Sequence, residues 1–202
     1  MILALLLAAA SWVPVASDAR HQIVELQIQK PNDPQHSLFT FCSGVIVQLR
    51  PVWILTEEHC LLDPYDKFDV YADGIRVKEV RRKDEVVLLT TVGSGMGRSD
   101  KWKAMEVRKD PPRPGTPVAA LGYWRDKYTV TAGISSTYGL NDRLAYFNIE
   151  LFAGMSGGAI VDDHGRLVSL VRGVEPDVPG SPNAVAFGPD LPSIWALLYP
   201  NR

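Results

Sequence analysis

Val52-Trp53-Ile54-Leu55-Thr56-Glu57-Glu58-His59-Cys60 is an apolar run that ends on a histidine, and two other features stand behind it in the chain. The first is the acidic pair Asp84-Glu85. The second is Ser156, inside Gly154-Met155-Ser156-Gly157-Gly158. A serine hydroxyl is a poor nucleophile at neutral pH. It needs an imidazole within hydrogen-bond reach, and that imidazole needs an acid to hold its tautomer and stabilise its charged form. Candidates for base, acid and nucleophile are present, in that order.

Chain order discriminates between frameworks. Gly154-x-Ser156-x-Gly158 also fits the nucleophile elbow of α/β-hydrolases, but there the acid and the histidine follow the serine. Only His164 follows Ser156, on an apparent turn Asp162-Asp163-His164-Gly165 too close in sequence to reach back from another loop. A subtilisin-type order could be drawn from Asp33, His59 and Ser156, yet those enzymes surround their serine differently.

At several separate places the chain resembles the chymotrypsin/trypsin-like serine protease family. Phe41-Cys42-Ser43-Gly44-Val45-Ile46-Val47 resembles its Cys-Gly-Gly strand, and Val52 through Cys60 resembles its Val-Leu-Thr-Ala-Ala-His-Cys segment. Gly154-Met155-Ser156-Gly157-Gly158-Ala159 is similar to Gly-Asp-Ser-Gly-Gly-Pro. Val118-Ala119-Ala120-Leu121-Gly122-Tyr123 and Thr129-Val130-Thr131-Ala132-Gly133-Ile134 look like second-barrel strands of bacterial HtrA-type members. The likeness runs from about residue 22 to the C-terminus.

This resemblance implies an all-β fold of two six-stranded antiparallel barrels with a short C-terminal helix. It implies a catalytic set of His59, Ser156 and one of Asp84 and Glu85, with an oxyanion hole from the backbone amides of Gly154 and Ser156. By family position Glu150 lies near the floor of the primary pocket, with Arg172 and Gly173 on its wall. An acidic floor favours basic side chains, an inward Arg172 favours acidic ones, and the two could neutralise each other. Cys42 and Cys60 sit where the family's histidine-loop disulfide would join them, as expected for an exported protein.

The acid has two readings. Glu85 at the family position gives Glu85-Val86-Val87-Leu88-Leu89-Thr90, similar to picornaviral members, some of which use glutamate. Asp84 is the commoner residue type but leaves Glu85 at an apolar position. Two further departures carry expectations. Glu57 and Glu58 replace small residues packed behind the histidine, so that wall should be open or hydrated, because buried unpaired carboxylates are costly. Met155 replaces the aspartate that pairs with a newly cleaved N-terminus in digestive members, so no such activation switch is expected.

Length and charge agree with this. The chain has 202 residues, room for two small coupled barrels, and a net charge of -2 with both signs spread along it. That leaves no electrostatic footprint for nucleic acid. The apolar N-terminus, closing on Val15-Ala16-Ser17, reads as a secretion signal over residues 1–17 and places the protein outside the cytosol or in a periplasm. It falls short of the ~20 residues that span a bilayer, so no stable membrane insertion is expected.

Local patterns are those of short antiparallel strands. Ile23-Val24-Glu25-Leu26-Gln27-Ile28-Gln29 alternates with period two. Phe68-Asp69-Val70-Tyr71 and Ile75-Arg76-Val77 flank a turn at Ala72-Asp73-Gly74. The proline-dense Lys109-Asp110-Pro111-Pro112-Arg113-Pro114-Gly115 predicts an extended connection between a first barrel over about 18–108 and a second over about 115–202. Pro192 through Tyr199 predicts a helix. Asp162-Asp163-His164 reads as a hairpin turn rather than a metal site, His21 and His36 carry no functional mark, and no cofactor is expected. The expected substrate is a protein or peptide. The competing readings are a catalytically silent protease-like binding module and a virus-type polyprotein-processing enzyme.

Overall fold

A computed structural model describes residues 12, 14–29, 38–61, 68–93, 100–138, 143–175 and 185–200. Residues 1–10, Asp33 and His36, which entered the sequence reading, lie outside these. Thirteen strands and a C-terminal helix account for most of the described chain.

The first half is a closed antiparallel barrel in the order β1-β2-β3-β6-β5-β4. Its strands are β1 (Ile23–Gln29), β2 (Leu38–Leu49), β3 (Val52–Glu57), β4 (Asp69–Ala72), β5 (Ile75–Lys83) and β6 (Val86–Thr91). The period-two pattern of β1 becomes a burial alternation, with Leu26 and Ile28 inside and Gln27 and Gln29 half-exposed. The β4–β5 hairpin turns on Asp73-Gly74, both at positive φ, as a two-residue connection requires. Val24, Leu26, Ile46, Ile54, Val87 and Leu89 fill the barrel.

The second half holds β7 (Pro117–Trp124), β8 (Lys127–Tyr138), β9 (Leu144–Asn148), β10 (Ala159–Asp162), β11 (Leu167–Leu170), β12 (Gly173–Glu175) and β13 (Val185–Pro189). They form a seven-stranded sheet, β11-β10-β7-β8-β9-β13-β12, that is not closed by hydrogen bonds. This corrects the expectation of two six-stranded barrels. The physical reason lies at Val171-Arg172, between the two edge strands. Val171 N donates to Gly158 O at the end of the sheet beside β10, whereas Arg172 N donates to Phe187 O on β13. One continuous segment thus serves both edges and switches partner midway. The sheet still rolls: a side chain on Gly188 would collide with the Leu170 carbonyl, so glycine there lets β13 approach β11.

Between the halves lies another apolar cluster, with Leu55, Val86 and Leu88 from the barrel and Ala119, Leu121 and Ala159 from the sheet. The C-terminal helix α1 (Leu191–Leu198) closes it with Leu191, Ile194 and Leu197. Asp190 caps that helix, its side chain accepting from Ser193 N at 2.8 Å. Helical residues 14–19 reach the same cluster, where Trp12 and Ala19 are buried and the Tyr128 hydroxyl donates to Ala16 O at 3.0 Å. A cut near Ser17 would separate Trp12 and Val15 from these contacts. No described helix is long and apolar enough to cross a membrane.

Cys42 on β2 and Cys60 are joined as a disulfide across a sequence separation of 18. Closing a loop of that length restricts the unfolded chain by roughly 3 kcal/mol. Replacing both cysteines with alanine should lower unfolding free energy by about that amount in a urea titration. An unchanged midpoint would show that the bridge contributes nothing.

Candidate active site

Strand β3 ends at Glu57, and a 3₁₀ turn, Glu58–Cys60, carries His59 out to the surface. Three constraints fix this turn. The disulfide ties Cys60 to β2, Glu58 N donates to Glu85 O at 2.7 Å, and Leu61 N donates to Glu58 O at 2.9 Å. His59 is exposed, with one imidazole nitrogen within 4.8 Å of both disulfide sulfurs.

Ser156 sits in a turn built on glycine. Gly154 and Gly157 hold φ of 96° and 78°, a region open to glycine at no steric cost. Space is equally limiting, because a side chain at Gly157 would run into the Ser43 carbonyl and the Thr56 hydroxyl. Within the turn, Met155 N donates to Phe152 O, Gly157 N to Val171 O and Gly158 N to Met155 O. Among the described residues, the amides of Gly154 and Ser156 donate to nothing. Two uncommitted N–H groups two residues apart, one of them the serine's own, are donors of the kind an oxyanion would require.

Ser43 brings the two turns together. Its amide donates to Ser156 O at 2.7 Å, its hydroxyl donates to Gly154 O at 2.9 Å, and that hydroxyl accepts from Tyr123 N at 2.8 Å. Thr56 Oγ1 donates to Ser43 O at 2.9 Å. Cys60 Sγ lies 3.8 Å from the Ser156 carbonyl; bonded to Cys42 it has no proton to give, so this is a packing contact. Sequence reasoning missed Ser43. The signal was available, since the Cys-Gly-Gly resemblance has a glycine where this chain has a hydroxyl.

The backbone segments that carry these side chains are therefore tied to one another, but among the described residues the side chains form no hydrogen-bonded chain. Ser156 Oγ donates to Arg172 O at a long 3.5 Å, and among the described residues no hydrogen bond joins His59 to Ser156, Asp84 or Glu85. Such bonds are often long or unmade in a ligand-free site. Asp84 and Glu85 are the two loop residues of the β5–β6 hairpin, at φ 48° and 68°, between the paired Lys83 and Val86. Two non-glycine residues in this conformation store backbone strain. Their side chains diverge: Asp84 pairs with Arg143, and Glu85 pairs with Arg172 Nη1.

Arg172 also lies over the Phe187 ring, its guanidinium carbon 5.4 Å from the centroid. Its partner is thus Glu85, and the alternative ion pair with Glu150 is not formed. Glu150 is exposed and offers its carbonyl to Thr131 Oγ1 at 2.6 Å. Gly173 opens β12 opposite Phe187. The Asp162-Asp163-His164 segment leads from β10 into a hairpin turn, and its first carboxylate, Asp162, is buried and paired with Arg108 and Arg166. Burial alone would raise the Asp162 pKa, but its hydrogen bonds to Arg166 and His164 hold it below the usual value.

The wall behind His59 differs from expectation. Glu58 is half-buried and paired with Arg82 at 2.8 Å, but Glu57 is fully buried and neither of its oxygens meets a donor. Its strand partner is the apolar Val86. Burial pushes the Glu57 carboxyl up to about 8, with Arg172 opposing and Glu58 adding to the rise. The chain accommodates the acid by protonating it rather than by hydrating it. The His59 pKa is lowered, by partial desolvation first and by the Arg172 charge second, so the ring stays neutral and available as a base further into acid.

Glu57 makes a pH prediction. Its folded pKa of about 8 exceeds the ordinary 4.5, so the folded state holds a proton that the unfolded state has released between those values. Its stabilising contribution is full below about 4.5 and declines by about 1.4 kcal/mol per pH unit until pH reaches about 8. Glu57→Gln should flatten that slope in urea titrations run from pH 5 to 8. Equal slopes in parent and variant would show that Glu57 does not bind a proton there.

A family model described as the trypsin-like peptidase domain matches residues 42–170, which include both cysteines, His59 and Ser156. A solved structure of the HtrA-type protease AlgW with a decapeptide superposes with TM-score 0.68 at 20% identity, over 93% of this chain and 66% of that one, so this chain spans just under two thirds of that protein. A search of curated proteins finds no match. With the cysteine-linked histidine turn and the glycine-built serine turn inside the matched span, the chain belongs to the trypsin-like peptidase family.

Proposed function

We propose that this protein is a serine endopeptidase that hydrolyses peptide bonds of protein or peptide substrates through an acyl-enzyme, without a cofactor. The observation that carries the reading is the turn of Ser156, bonded to Ser43 on the strand whose Cys42 is linked to the turn of His59, with the Gly154 and Ser156 amides uncommitted. Ser156 Oγ attacks the scissile carbonyl while His59 takes its proton. The two amides receive the oxyanion, and His59 then protonates the leaving amine before water releases the acyl group.

Glu85 is the better candidate for the acid. Its carbonyl is already bonded to the turn that carries His59, whereas the side chain of Asp84 leaves for Arg143. The decapeptide in the AlgW structure supports a peptide as the substrate class here too. The disulfide supports action outside the reducing cytosol, and N-terminal sequencing of the exported protein would locate the processing point near Ser17.

One observation favours the rival reading of a silent binding module: both candidate acids are occupied by arginines and His59 has no hydrogen bond to Ser156. A fluorophosphonate probe separates the two. Labelling should fall on Ser156, vanish in His59→Ala, and slow by about 10²–10⁴ in Glu85→Gln but not in Asp84→Asn. Folded parent protein that takes no label would overturn the peptidase reading in favour of the binding module.

A further inference from the structure

Arg172 occupies an unusual station. It lies at the break between β11 and β12, where the backbone is pinned by Val171 N on Gly158 O and by its own amide on Phe187 O. From this fixed point its carbonyl accepts the Ser156 hydroxyl, while its guanidinium reaches out of the second half to the Glu85 carboxylate on the β5–β6 turn of the first. The Phe187 ring supports the guanidinium from beneath.

We propose that Arg172 is the positioning residue of this site, setting nucleophile and acid relative to each other across the two halves. This rests on the peptidase reading and assigns Arg172 a role other than lining the pocket wall.

Three observations make the link necessary. Glu85 stands on a two-residue turn with its long side chain partly exposed, and the ion pair to Arg172 is what holds its carboxylate in one direction. Arg172 Nη1 meets that carboxylate, so the link is a contact between opposite charges that a lysine ammonium in the same place can also make. The surrounding groups leave the role to Arg172: Arg82 is engaged with Glu58 and Glu79, Arg143 with Asp84, and Glu57, from the end of β3, is buried without a donor. His59, on the turn between Glu57 and the disulfide, also feels the Arg172 charge, which helps keep its ring neutral.

Two readouts test the assignment. The first is the rate of fluorophosphonate labelling at Ser156. Arg172→Met should slow it about tenfold, and Arg172→Lys should recover it to within about threefold. Arg172→Met should cost little more once Glu85→Gln is present, because both changes remove one link. The second readout is the His59 imidazole titration followed by NMR, which needs no turnover. It should move to higher pH in Arg172→Met and stay in place in Arg143→Met. Additive losses, failure of lysine to rescue, or an unmoved His59 titration would each overturn the assignment. If the parent protein takes no label, the peptidase reading fails by itself. The NMR titration and the non-additivity of Arg172→Met and Glu85→Gln in urea unfolding then decide whether Arg172 still links the halves.

Discussion

A backbone hydrogen bond from Ser43 N to Ser156 O joins the barrel of the first half to the serine turn of the second. Everything else around it serves to hold those atoms 2.7 Å apart. The Ser43 hydroxyl grips Gly154 and Tyr123, the glycines at 154 and 157 remove side chains that would collide, and the adjacent disulfide fixes the strand that carries Ser43. Beneath it the apolar cluster formed by Leu55, Leu88, Leu121 and α1 supplies the burial that keeps barrel and sheet in contact.

Electrostatics at the site follow from placing acids at that junction. Glu57 faces an apolar strand partner and resolves the cost by remaining protonated, so its pKa rises to about 8. Glu58 meets Arg82, Asp84 meets Arg143, and Glu85 meets Arg172 across the cleft. The same arginine lowers the pKa of His59. A histidine kept neutral and a carboxylate held by a cation from the other half form one arrangement, because both depend on where the segment between β11 and β12 changes partner.

Much of this was legible before any coordinates. The strand β1, the β4–β5 turn, the C-terminal helix and the Cys42–Cys60 bridge follow from periodicity, turn residues and family-like spacing. What failed was local in origin. The second unit is an unclosed seven-stranded sheet because Val171-Arg172 serves two edges, and no sequence pattern reports a partner switch. The open wall expected behind His59 is closed at Glu57 because the neighbouring strand presents Val86 there.

The order of residue types along the chain determined which groups could act: a histidine beside a cysteine, an acidic pair, and a serine among glycines. These are chemical identities and short spacings, and they survive without knowledge of distant neighbours. Which acid faces the histidine turn, which cation meets it, and whether a buried carboxylate is charged were decided only by the tertiary structure. Each of those depends on distances between segments remote in sequence and on the water excluded between them.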